Sequence, residues 1–175
     1  MGYRELFLVM VSSILLTLLI IQINDHTAEG SETLQRLELE HTATAIAQQF
    51  IDEAKSKKFD AQVGMIDPDD MPDDFTPWNS LGPGWWESYP KFNDVDDYHN
   101  LNKMLYVTGT NIDMVSTNGV PFRARIKVHY VNQVKPDSAV NTETYLKRMT
   151  ITVSSTWLPD SVTVKQVFSY FGVNM

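Results

Sequence analysis

The chain has no cysteine, which excludes a disulfide framework, a thiolate metal site and a cysteine nucleophile together. No Asn-x-Ser/Thr sequon occurs, so nothing marks a glycosylated secreted surface. The four histidines (His26, His41, His99, His129) are scattered without an H-x-x-x-H pair, and G-x-S-x-G, phosphate-loop and dinucleotide motifs are all missing. Carboxylates are plentiful, but none stands in a pattern that tunes a pair for acid–base work. A protein that is not an enzyme is expected. Two further absences are local. No proline precedes Pro68, and no charge falls between Leu6 and Ile23.

That second gap is the most informative stretch of the chain. LFLVMVSSILLTLLIIQI holds only Ser12, Ser13, Thr17 and Gln22 as polar residues, and its length suits a helix crossing most of a bilayer core. A signal peptide has a basic start, a shorter apolar core and a small-residue cleavage site. Here a single Arg4 is offset by Glu5, and only Ala28 offers a poor cut. A retained membrane helix is expected at 1–30. Arg4, set against Asp25, Glu29 and Glu32 on the far flank, orients the N-terminus towards the cytoplasm and the rest outside.

Helical pattern continues over 31–58. Ala43, Ile46, Ala47, Phe50, Ile51 and Ala54 fall on one face, with polar residues on the others. Gly30 followed by Ser31 allows a bend between two helices. A continuous helix from Arg4 to Lys57 is instead roughly 80 Å long, too long to hide in so small a domain. Its first half then needs lipid or other copies of itself.

Residues 59–103 are rich in Asp, Pro, Gly and aromatics and read as an ordered, irregular loop. Residues 104–175 read as an antiparallel sheet. Phe122, Ala124, Ile126, Val128 and Tyr130 alternate with basic residues, Met149, Ile151 and Val153 alternate within Tyr145–Trp157, and Val162, Val164, Phe168 and Tyr170 mark a third strand. Asn118-Gly119 and Leu158–Ser161 are turn signals. The fold class expected is α+β, with the Ala43–Ala54 face covering the sheet.

Net charge is −8 and unevenly spread: residues 59–102 carry one Lys/Arg against ten Asp/Glu, while 103–175 carry eight against four. Complementary surfaces within or between copies follow, rather than a nucleic-acid binder. The basic strand face (Arg123, Arg125, Lys127, His129, with Arg148) is read as an exposed face neutralised by the acidic loop of the same or the next subunit. Asp67, Asp69, Asp70, Asp73 and Asp74, or Asn93 with Asp94, Asp96 and Asp97, offer Ca²⁺ hard oxygen ligands. Neither set has EF-hand spacing, so a solvated acidic loop is expected, no metal or other cofactor is assigned, and Asp94, Asp96 and Asp97 stay as weak Ca²⁺ candidates. Trp78, Trp85 and Trp86 are expected to pack and hold the loop, ahead of stacking on sugars.

The N-terminal YRELFLV with its lone Glu5, followed by AIAQQFIDEAKSKKF (45–59), FNDVDDYHNL (92–101) and YLKRMTITVSSTW (145–157), resembles the type IV pilin-like superfamily, which includes type IV pilins and type II secretion pseudopilins. The resemblance implies a pilin-like fold and a homopolymer whose core is a bundle of N-terminal helices. Leu6, Phe7, Leu8, Val9, Ile14, Leu15, Leu16, Leu18, Leu19 and Ile20 would form that core. It implies that Glu5 pairs with the N-terminal amine of a neighbouring subunit, at Met1 if that is the mature first residue, and so sets register. It also implies an inner-membrane stage handled by pilus assembly or secretion machinery, then an extracellular or periplasmic filament. The alternatives are a minor pilin or pseudopilin that primes assembly or secretion, and a monomeric membrane-anchored binding domain.

Overall fold

The computed structural model describes residues 2–62, 74–109, 111–113 and 119–173. The chain divides into two units, Met1–Leu39 and Glu40–Met175. One helix, α1 (Tyr3–Lys55), supplies all of the first unit's regular structure and begins the second. Gly30 does not break it: the helical hydrogen bonds run through that position, and no side chain crowds it. The helix ends where the N–H and hydroxyl of Ser56 both return to the Glu53 carbonyl (3.1 and 2.6 Å), satisfying a carbonyl that the last turn leaves open.

In the second unit, strands β1 (Asn102–Thr108), β2 (Asn111–Asp113), β3 (Val120–Tyr130), β4 (Leu146–Ser155) and β5 (Val162–Ser169) form one antiparallel sheet in the order β2-β1-β3-β4-β5. A short helix, α2 (Tyr170–Val173), follows. The second half of α1 packs on this sheet, giving the α+β class. Ala43, Ile46, Ala47, Phe50, Ile51 and Ala54 are all at most 2 % exposed. The inner sheet face is built from Leu105 and Val107 on β1, Phe122 to Tyr130 at every second residue on β3, and Met149, Ile151 and Val153 on β4. Register places Phe122 opposite Leu105, Ala124 opposite Val153 and Ile126 opposite Ile151, so the apolar rows line up across three strands.

Several boundaries differ from those the sequence suggests. β1 begins at Asn102, inside the expected loop. Its outward residues Met104 and Tyr106 are themselves apolar, so the two-residue alternation is blurred. Tyr170 opens α2 rather than closing β5. The turn at Leu158–Ser161 does join β4 to β5. Asn118 lies outside the described residues, but its neighbour Gly119 has φ +127°, and a Cβ there would collide with the Val107 carbonyl of β1. Glycine is required at that position.

The loop aromatics also divide differently. Trp85 and Trp86 are 91 % and 93 % exposed, and Trp78 is 43 % exposed, so tryptophans do not hold the loop down. Phe59, Phe75, Phe92 and Tyr98 do, buried in edge-on contacts: Phe59–Phe75 at 5.3 Å and Phe92–Tyr98 at 5.0 Å between ring centres. Tyr98 and Tyr89 then donate hydroxyls to the two oxygens of Glu53 on α1 (2.7 and 3.0 Å). Burial, with the Glu53 carboxylate alongside, pushes both phenols well above the usual tyrosine range.

Candidate functional site

Two places in the molecule hold chemistry that packing alone does not explain. The first is the start of α1. An eighteen-residue stretch of this helix reaches a mean hydropathy of 2.7 with none of it buried, so the helix is long and apolar enough to cross a membrane. The apolar side chains point in every direction: exposure runs from 37 % at Val11 and 50 % at Ile20 to 66 % at Phe7, with Leu6, Leu8, Val9, Ile14, Leu15, Leu16, Leu18 and Leu19 between the last two. A helix apolar all round has no side suited to water, and each such side chain left wet forfeits roughly 1.5–3 kcal/mol. Two of its hydroxyls bond within the helix. Ser12 donates to the Val9 carbonyl (3.0 Å) and Thr17 to that of Ser13 (2.9 Å), as an apolar medium demands.

Glu5 sits in the first turn of this helix, three residues after Gly2. The Gly2 carbonyl accepts the N–H groups of Glu5 and Leu6 (3.0 and 3.3 Å), and the Gly2 N–H donates back to the Glu5 carboxylate (3.3 Å). That is one half of a capping box, with Gly2 as N-cap. The carboxylate therefore holds the helix start within its own chain, a use that the sequence reading did not include. Met1, the expected counter-charge, lies outside the described residues.

The second place was not foreseen. Lys147 on β4 is fully buried, and its ammonium donates to the Phe59 carbonyl (2.9 Å), Asp60 (2.7 Å) and Asp96 (2.7 Å). Three donors meet three acceptors. The Phe59 and Tyr130 rings lie 4.6 and 5.2 Å from the nitrogen, adding cation–π attraction. Asp60 also accepts the N–H groups of Gln62 and Thr76 and the Thr76 hydroxyl (3.0–3.1 Å). Burial works to raise its pKa, but the Lys147 charge and these donors outweigh it, so the carboxyl lies below the usual range. A signal for Lys147 was present. It shares strand parity with Met149, Ile151 and Val153 and had to face the core if they did.

The weak Ca²⁺ candidates belong to this cluster. Asp94, Asp96 and Asp97 are 1–2 % exposed and are not the solvated loop expected. The loop is pulled inward because residues 93–95 pair with Lys58 in a short parallel bridge just beyond α1, through Lys58 N–H to Asn93 (3.2 Å) and Val95 N–H to Lys58 (3.0 Å). At least one oxygen of each is already engaged. Asp94 accepts the N–H groups of Asp96 and Asp97 (2.9 and 3.1 Å), Asp97 accepts that of Asn93 (2.9 Å), and Asp96 meets Lys147. Among the described residues no three Asp, Glu or His side chains are placed to hold a metal; Asp67, Asp69, Asp70 and Asp73 lie outside them. Among the described residues of the segment, Asp60, Asp94, Asp96 and Asp97 are thus turned inward rather than offered to neighbours.

Burial pushes Asp94 up to about 9, helped by the charge of Asp96, a hydrogen bond to it and the charge of Asp97, with Lys147 opposing. Burial likewise lifts Asp97 to about 6, against the N–H groups of Asn93 and Asp94. The folded chain therefore keeps a proton on Asp94 that the unfolded chain releases above its ordinary value of 3.8. This contribution to stability is complete below that value and is lost as pH rises towards 9. Asn at this position accepts the same two N–H groups and offers its own N–H to Asp96. Asp94→Asn should therefore be more stable than wild type at pH 8–9, by about 1–2 kcal/mol, with a flatter profile above pH 5. Denaturant titrations of both chains across that range check this; a parallel decline in the two would refute it.

The basic sheet face is partly as expected. Arg123, Arg125 and Lys127 are exposed and His129 is half-buried. Arg148 and Lys165 are met by Asp137 of the β3–β4 connection, not by the acidic loop: Lys165 reaches its carboxylate at 3.2 Å, and Arg148 donates to the Pro136 and Asp137 carbonyls.

No family model, curated protein or solved structure matches this chain. The order of elements is a long N-terminal helix followed by an antiparallel sheet.

Proposed function

We propose that the chain is a structural subunit of a type IV pilus-like filament that polymerises through its N-terminal helix. The observation that carries this is the apolar start of α1, exposed on every side, in the same helix whose later residues are buried against a sheet. Such a segment needs a medium that surrounds it, and two media suit it in turn. Lipid serves while the subunit waits in the inner membrane, and the equivalent helices of neighbours serve once it is assembled. The exchange costs little hydrophobic energy, since one apolar surround replaces another. The carboxylate of Glu5 then gives direction: in an apolar core it costs a few kcal/mol or more unless a positive group meets it. A subunit seated at the wrong stagger leaves it unpaired.

This reading includes no catalytic step and no cofactor. Electron microscopy of material sheared from cells producing the chain tests it. Filaments that bind antibody to Glu40–Met175 are expected. Abundant protein confined to the membrane fraction, with no filament, would overturn the reading in favour of an assembly-priming subunit or an anchored monomer.

A further inference from the structure

The loop before the short 3₁₀ turn Asp96–Tyr98 and the β3–β4 connection face each other across a cleft of about 360 Å³. Its lining includes Trp78, Asn79, Leu81, His99, His129 and Asn141, together with Tyr130 and Val140. We propose that this cleft binds a neutral pyranose, one sugar unit of a glycan. The inference stands independently of polymerisation.

The lining excludes other chemistries in turn. It contains no Lys, Arg, Asp or Glu, so a phosphate or carboxylate ligand finds no counter-charge. His129 is held towards its neutral form by burial and by the nearby His99, Arg148 and Lys127. A wholly apolar ligand would cover two imidazoles and two carboxamides without satisfying them, a cost of the same kind as burying any unpaired polar group. Sugar hydroxyls donate and accept at once, as carboxamides and neutral imidazoles do. The half-exposed Trp78 indole supplies the flat apolar surface on which the C–H face of a pyranose rests. The volume falls at the small end of ligand sites.

The walls are fixed before any ligand arrives. Trp78 is anchored by its backbone N–H to the Glu143 carboxylate (2.9 Å). The His99 Nδ1 lies 2.6 Å from the Val128 carbonyl oxygen and 3.2 Å from the Val128 nitrogen, so the β3 backbone engages that atom in either tautomer and Nε2 is the ring's remaining polar atom. Its ring meets His129 edge-on at 5.3 Å. The Tyr130 hydroxyl is spent on the Thr76 carbonyl (2.8 Å), so it contributes only ring surface. Ser80 donates to Asn79 Oδ1 (3.2 Å), leaving the Asn79 amide N–H groups for a ligand oxygen.

The test uses the full chain in a zwitterionic, sugar-free detergent with a chelator present, titrated with the methyl glycosides of glucose, galactose, mannose and N-acetylglucosamine. The readout is the NMR shift of the His99 and His129 ring signals. Saturable shifts with at least one glycoside are expected. Trp78→Ala should weaken that binding by roughly tenfold or more, while Trp85→Ala/Trp86→Ala should change it by less than about twofold. Asn141→Ala, at an exposed rim position, repeats the test if truncating Trp78 unsettles the loop. No saturable shift with any glycoside would overturn the proposal. So would binding that survives loss of Trp78 and of Asn141, or that disappears with Trp85 and Trp86.

Discussion

Glu5→Gln should abolish filaments while leaving the chain inserted and helical; Glu5→Ala should do the same with a frayed helix start. The pair separates two uses of one carboxylate. Its oxygen accepts the Gly2 N–H and caps α1, and glutamine retains an oxygen at the same place, as it does in other capping boxes. Its charge is the only thing that glutamine removes. If the charge is matched by a neighbour's positive group inside an apolar core, its loss leaves that group unpaired, at a cost of a few kcal/mol per interface. A deficit of ~2–3 kcal/mol corresponds to roughly a hundredfold in the equilibrium for adding a subunit. Counting sheared filaments at equal membrane-fraction levels measures it. If Glu5→Gln assembles normally and only Glu5→Ala fails, Glu5 is a helix cap and register is set elsewhere.

Lys147→Met should cost about 3–5 kcal/mol of stability, the largest single effect expected outside the apolar helix. Methionine keeps the length of the stem but removes the ammonium, and Asp60 and Asp96 then face each other's surroundings without a counter-charge. Charges in water would lose little, but here the lysine is fully buried and its carboxylate partners nearly so. For a unit of this size the loss amounts to on the order of 10 °C in Tm. Neutralising the acids as well, with Asp60→Asn and Asp96→Asn in the Lys147→Met background, should recover most of it, because the damage lies in the unpaired charges rather than in the missing contact. Thermal unfolding of wild type, Lys147→Met, Asp60→Asn/Asp96→Asn and the triple variant in the same detergent provides the cycle. A loss below about 1 kcal/mol in Lys147→Met would place the cluster among ordinary surface ion pairs.

What could be read from the sequence followed period, and what could not followed chain reversal. The stripe from Ala43 to Ala54 and the alternation from Phe122 to Tyr130 each repeat at the spacing of their element, and the structure buries both faces. Lys147 was legible by parity, but a charge on an apolar face invites the opposite assignment. Asp60 and Asp96 had no such signal. Asp60 lies in an irregular segment and Asp96 opens a short 3₁₀ turn, and the pairing of Lys58 with Asp94 helps bring the two together beneath β4. Composition misled there, since an Asp-rich segment reads as wet whether or not its acids are folded inward. The cap at Gly2 was hidden for another reason: glycine is a permitted N-cap but a weak one.

The three bonds of Lys147 also define a route for mechanical load. The chain leaves α1 through Phe59 and Asp60, and both are tied to β4 by the same ammonium that holds Asp96 of the following loop. A pull applied along α1 first meets the slip-prone apolar contacts of the Ala43–Ala54 face, which are strong in area but have no direction. Behind them stands a short, directional clamp that joins three separate stretches of backbone at one atom. Tension therefore reaches the sheet at β4, between β3 and β5, where hydrogen-bonded neighbours on both sides share it, rather than at an edge strand that could be peeled away.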